Sequence, residues 1–150
     1  PFLELGLGFQ EELTGKENVY LYGAVLGLSK RQIEEKYKEI VEFAELEEFM
    51  HTKLKNYSSG MQARLAFSIA IQVESDILLI DEVLAVGDIS YQQKCFDYFE
   101  RVKGNKTIIL VSHDLNLVNR FCERSLLLQH GDLPKEGKTE VLVRYYTKSK

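Results

Sequence analysis

The chain has 150 residues, 45% of them hydrophobic and 28% charged, and 19 Lys+Arg against 23 Asp+Glu leave a formal net charge of −4. That is chain enough for one domain or a large piece of one, and its acidic balance argues against nucleic acid as a partner, because a protein that neutralises a phosphate backbone carries a basic excess or stripe. No apolar run approaches the roughly 20 residues that a bilayer-spanning helix needs. No leader-like segment opens the chain, and Cys95 and Cys122 show no metal-ligand spacing. A soluble, cytoplasmic, globular chain is expected. Its start at Pro1, running straight into Phe2-Leu3-Glu4-Leu5, reads as entry in mid-domain.

The segment from Leu13 to Phe49 reads as helical. Thr14 with Glu17, and Ser29 with Gln32, have the spacing of reciprocal N-terminal caps. In the second helix Ile33, Tyr37, Ile40, Val41 and Ala44 share one apolar face, opposite a mixed-charge face of Lys30, Arg31, Glu34, Glu35, Lys38, Glu39 and Glu42. Asn56-Tyr57-Ser58-Ser59-Gly60 is a turn-like run leading into a third helix, with Met61, Leu65, Ile69 and Val73 along one side. The texture then changes. Short apolar runs at Ile77–Ile80, Thr107–Val111 and Ser125–Leu128 are separated by helical stretches at Tyr91–Val102 and Asp114–Phe121, and a last helix covers Thr139–Tyr146. Runs buried on both faces and alternating with helices imply βαβ units and a parallel sheet.

Three places carry chemistry. The run Ile77-Leu78-Leu79-Ile80 ends in Asp81 and Glu82, where a strand-end carboxylate can hold Mg²⁺ and its neighbour can face an attacking water. Ser58-Ser59-Gly60-Met61 opens a helix whose first amides and partial positive charge suit an anion, with two hydroxyls as further donors. Ile108-Ile109-Leu110-Val111 ends in Ser112-His113-Asp114, placing a His at a strand terminus. Taken singly, each also fits a bland reading: a polar turn, a Ser cap, a surface His. Their order is what distinguishes them.

As an ordered set they resemble the ATP-binding cassette (ABC) ATPases. Ser58-Ser59-Gly60-Met61 is similar to the family signature, usually written L-S-G-G-Q, with Tyr57 in the Leu place. Ile77–Asp81 resembles the Walker B strand, Glu82 the catalytic glutamate, Ala85-Val86-Gly87-Asp88 the D-loop and His113 the switch histidine. Glu4–Phe9, Glu12–Asn18 and Glu82–Asp88, where Val83 stands in place of the usual Pro, are similar to the ATPase subunits of bacterial polysaccharide exporters, which move O-antigen, capsule or teichoic acid.

The resemblance implies a P-loop NTPase-like α/β fold, with a parallel sheet flanked by helices. A helical subdomain at about 13–70 would carry the signature, and the catalytic-core part would fill about 71–150. It implies ATP and Mg²⁺ as cofactors, a head-to-tail homodimer, an integral-membrane permease as partner, and a place at the cytoplasmic face of the bacterial inner membrane. Asp81 would serve the metal. Glu82 and His113 would be catalytic, while Ser58, Ser59, Gly60, Met61 and Asp88 would meet nucleotide across the dimer.

There are departures. Ser59 replaces a Gly and Met61 the final Gln of the signature, and Glu4 (with Gln10 behind it) is the nearest stand-in for the Q-loop Gln. The phosphate loop G-x-x-x-x-G-K-[S/T] is absent. Gly131 to Gly137-Lys138-Thr139 is mis-spaced, and it puts Asp132, Pro134 and Glu136 where phosphate would lie. Hairpin-like turns at Gly131-Asp132 and Glu136-Gly137 explain that segment better. The loop is expected upstream of Phe2, and the 150 residues alone are expected to be inactive. Rival readings are a non-transport ABC ATPase acting on ribosomes or DNA, and an inactive fragment that only binds partners.

Overall fold

A computed structural model describes residues 2–3, 8–81, 88–128 and 133–148. Helix α1 (Gly15–Val25) starts at Thr14, whose hydroxyl accepts from the Glu17 amide at 3.2 Å while the Glu17 carboxylate accepts from the Thr14 amide at 2.7 Å. Helix α2 (Lys30–Ala44) starts on the same reciprocal pair between Ser29 and Gln32, at 3.3 and 2.9 Å. Each pair satisfies amides that a first helical turn leaves without acceptors. The two helices also end alike. At α1 the left-handed position is Gly27, φ 91°, and the Leu28 amide folds back on the Gly23 carbonyl at 2.9 Å. At α2 the same position holds Glu45, φ 58°, with the Leu46 amide on the Val41 carbonyl at 3.4 Å.

The apolar stripe of α2 is buried through Ile33, Ile40, Val41 and Ala44. It joins Val19, Tyr22, Leu54, Leu65 and Ile69 in a first core. Helix α3 (Ser59–Ala70) belongs to two cores: Leu65, Ala66 and Ile69 face the first, Phe67 and Ala70 the second. The second core adds Leu78 and Ile80 of β2 (Ile77–Asp81) and Tyr91, Cys95 and Phe99 of α4 (Ile89–Val102). Phe67 is fully buried, with the rings of Phe43, Tyr91, Tyr98 and Phe99 within 6.5 Å. Truncating such a side chain to Ala costs about 3–5 kcal/mol.

Strand β2 runs parallel between β1 (Phe2–Leu3) and β3 (Thr107–Val111). Leu79 pairs with Phe2 on one side and Ile109 on the other, and Asp81 pairs with Val111. The strands are not buried on both faces as the sequence suggests. Leu78 and Ile80 pack into the second core, whereas Ile77, Ile109 and Val111 are each about half exposed. The second core lies against one face, and the other is open among the described residues.

The third expected strand departs further. Arg124–Leu127 forms β4, one residue early at each end, and pairs antiparallel with β5 (Lys135–Lys138) instead of the parallel sheet. Glu136 and Gly137, expected in a turn, therefore lie within β5 opposite Leu126 and Ser125. The physical reason is one-sidedness. Leu126 is 57% exposed while its strand neighbours are half-buried, and such an alternating strand suits a solvated antiparallel pair. An Arg124–Glu136 ion pair at 3.1 Å ties this pair across its open side. Gly131-Asp132 lies outside the described residues. Helix α5 (Leu115–Phe121) precedes β4, and α6 (Thr139–Lys148) follows β5, its Thr139 hydroxyl 2.7 Å from that of Ser125.

One close approach connects the first core to the residues ahead of α3. Gly15 at the start of α1 lies against Tyr57, whose hydroxyl donates to the Phe49 carbonyl at 2.7 Å. A Cβ on Gly15 would overlap that hydroxyl and stand 3.1 Å from the ring carbon bearing it. Gly15→Ala is expected to cost about 1–3 kcal/mol of stability by overpacking. Urea unfolding of the native gene product measures it, and in a Tyr57→Phe background the cost should shrink.

Candidate functional site

Tyr57 sets the approach to α3. Burial pushes its phenol up to about 12, so it remains a hydrogen-bond donor throughout the neutral range. Ser58 then takes the N-cap of α3 with extended backbone (φ −67°, ψ 159°), and its hydroxyl accepts from the Met61 amide at 3.1 Å. Ser58 and Ser59 are exposed and Gly60 is half-buried. A Cβ built on Gly60 meets only Ser58 Oγ, at 3.8 Å. The fold therefore does not require glycine there. Its bareness leaves space directly over the positive end of a 12-residue helix.

That space is part of a cleft of about 530 Å³ lined by Ser58, Ser59, Gly60 and Met61, by Glu45 and Phe49, and by Arg64 and Asp88. The structure thus brings Asp88 to the Ser58–Met61 run, which the sequence places apart. Asp88 caps α4, accepting from the Tyr91 amide at 3.0 Å and from the Ser90 hydroxyl at 2.6 Å, and it is ion-paired to Arg64. The Ser90 hydroxyl, the Tyr91 amide and the Arg64 guanidinium together hold its carboxyl down, to about 2 from an ordinary 3.8.

Arg64 is the one charge in the sequence of α3. It also pairs with Glu45 at 3.2 Å and lies over the Tyr91 ring, 4.9 Å from its centroid. Glu45 reaches Lys94 of α4 at 3.0 Å, and Lys94 donates to the Phe43 and Glu42 carbonyls at 3.0 and 3.3 Å. These are carbonyls at the C-terminal end of α2, whose last turn carries no basic residue of its own. Sequence reasoning missed Glu45, Arg64 and Lys94. A signal did exist, since Arg64 stands alone in an apolar helix and Glu45 occupies a place that favours glycine.

The other expected site residues lie elsewhere. Asp81 ends β2 in register with Val111, so Ser112 and His113, which follow β3, emerge at the same carboxyl edge of the sheet. His113 is exposed, next to Asp114, which caps α5 by accepting from the Asn116 amide at 2.8 Å. His113 does not line the cleft. Glu82 and Glu4 lie outside the described residues. Glu82 follows Asp81 directly in the sequence, and a hard cation such as Mg²⁺ is held by one or two carboxylates together with substrate phosphates. Among the described residues no cluster of three or more His, Cys, Asp or Glu stands together, and no helix is long and apolar enough to cross a membrane. Burial raises the Cys95 thiol to about 12, which leaves it unreactive.

Comparison with known proteins follows the same geography. A family model described as ABC transporter matches residues 3–85, from β1 through the first cleft residues and β2. The chain is 47% identical over 145 residues to the O-antigen export system ATP-binding protein RfbB of Klebsiella pneumoniae, a match covering 96% of this chain and 59% of that protein. It is 41% identical over 145 residues to the teichoic acids export ATP-binding protein TagH of Levilactobacillus brevis, covering 96% and 40%. Among solved structures, a dimeric ATP-binding cassette in a post-hydrolysis state with ADP and Pi superposes with a TM-score of 0.66 at 28% identity, covering 88% of this chain and 61% of that one. The chain spans about half the length of these curated relatives.

The Asp88 carboxylate gives the first test of the cleft. Its pKa is depressed in the folded state, so its stabilisation is fully present above the ordinary 3.8 and is lost as pH falls toward about 2. Asp88→Asn keeps a capping oxygen but removes the charge. Its melting temperature should lie below that of the unsubstituted protein at pH 7, with the gap closing between those two pH values.

Proposed function

The chain belongs to the ABC transporter family, and from that membership we propose that it forms part of the ATP-binding and ATP-hydrolysing subunit that powers export of a cell-surface polysaccharide. The polymer is of the O-antigen, capsule or teichoic acid class. The subunit works as a homodimer docked on an integral-membrane permease at the cytoplasmic face of the inner membrane. The observation that carries this reading is the cleft where the bare start of α3, Ser58-Ser59-Gly60, opens beside Asp88.

The reaction is phosphoryl transfer to water, in which positioning and electrostatics do most of the work. Helix α3 offers amides and the Ser58 and Ser59 hydroxyls to phosphate oxygens of a nucleotide held by the second subunit, with Gly60 allowing close approach. Asp88 lies on the dimer-facing side of the same cleft. At the carboxyl edge of the sheet Asp81 would hold Mg²⁺ and His113 would donate to the terminal phosphate, while Glu82, next after Asp81 in the sequence, would orient and polarise the attacking water. Mg²⁺, when bound, neutralises charge developing on the phosphate oxygens. The 150 residues contain no G-x-x-x-x-G-K-[S/T] phosphate loop, and by themselves they are expected to hydrolyse no ATP.

The test is Glu82→Gln in the native gene product. Removing the group that polarises the water should lower turnover by about 10²-fold or more, with ATP binding retained in equilibrium dialysis. Unchanged turnover would remove Glu82 from this role.

A further inference from the structure

Three ion pairs around the cleft form a chain that closes into a ring only through the backbone of α4. Starting on α4, Lys94 pairs with Glu45 at the end of α2, Glu45 with Arg64 on α3, and Arg64 with Asp88, the N-cap of α4. The charges alternate in sign from Lys94 to Asp88. Each cation also sits on an aromatic ring, Arg64 over Tyr91 and Lys94 over Phe43, both at 4.9 Å. Those two rings meet edge to face at 5.8 Å. Exposed ion pairs on their own contribute little, but here the Arg64 side chain is only 17% exposed and the aromatic base restricts where both cations can sit.

Glu45 is the member that the backbone disfavours. Left-handed conformation is unfavourable for a residue with a Cβ, and at the equivalent end of α1 the chain uses glycine. A glutamate keeps the place at α2, and its carboxylate is the link that joins α2 to both α3 and α4.

We propose that Glu45 is a positioning residue for ATP hydrolysis. Through Arg64 and Lys94 it fixes the start of α3 against the start of α4, so that Ser58-Ser59-Gly60 and Asp88 face the cleft as one preformed surface. This inference rests on the proposed function for its catalytic consequence, whereas its structural half stands apart from it. Glu45 touches no reacting atom in this account; it acts through the two helix starts.

The variant that separates this role from simple folding is Glu45→Gly in the native gene product, because glycine relieves the backbone while deleting the carboxylate. The expected result is a melting temperature equal to or above that of the unsubstituted protein. ATP affinity should be unchanged, and kcat should fall on the order of tenfold, as for a displaced catalytic surface. Hydrogen exchange at the Met61 and Tyr91 amides should quicken at the same time. Lys94→Met, which cuts the neighbouring link, should lower kcat as well, and the double variant should lose little beyond the worse single one. A kcat within twofold of the unsubstituted value, a fall in ATP affinity, or a fall in kcat that merely tracks a lowered melting temperature would overturn the proposal. If the unsubstituted protein has no ATPase activity, the function above fails, and the exchange rates alone decide whether Glu45 holds the two helix starts together.

Discussion

The burial of α3 on two sides is the constraint from which the rest of the structure follows. From Leu65 to Ala70 each apolar side chain enters one core or the other, and the Ser68 hydroxyl is buried on the Arg64 carbonyl and the Tyr91 hydroxyl, so the helix has no freedom to rotate or slide without opening both cores. Its first turn projects beyond this buried stretch. Ser58, Ser59 and Gly60 are therefore held by packing that occurs a turn or more away, and they stay accessible themselves. An anion site at a helix start needs that combination of exposed amides and a fixed axis.

The surroundings of α3 turn that start into a cleft. Tyr57 anchors the incoming chain on the Phe49 carbonyl, and the Gly15 contact leaves it little room to move. On the far side, Arg64 reaches out to Glu45 and Asp88 from a helix that is otherwise uncharged. Lys94 supplies the positive charge that α2 lacks at its own end. The polar groups of the cleft are thus organised by partners on other helices. This is why a single site joins residues from the middle of the chain to Asp88, the N-cap of α4.

The sheet contributes the second set of residues by a different route. Parallel register between β2 and β3 places Asp81 beside Val111, and that alone brings Asp81 and His113 to one edge. The antiparallel β4–β5 pair stands outside this arrangement. Its apolar run looked like a third parallel strand because Leu126, Leu127 and Leu128 follow one another without interruption. Apolar residues in a row do not reveal whether both faces will be covered, and here Leu126 and Leu128 are exposed.

Local physics made much of the chain legible in advance. The caps at Thr14, Ser29 and Ser58 concern residues three apart, and the stripe of α2 follows from helical periodicity, so each is written in a short window of sequence. The strand Thr107–Val111 is marked by β-branched residues between polar ends, and it forms with those bounds. The identities of Ser58, Gly60, Asp81, Asp88 and His113, and their order, belong to the sequence as well. What the tertiary structure alone decided is which of them meet. The cleft that joins Ser58–Gly60 to Asp88, and the ion pairs through Glu45, Arg64 and Lys94, depend on contacts between residues 19 to 49 positions apart. No periodicity or propensity encodes such pairs, because they exist only once two cores have fixed the angles of α2, α3 and α4.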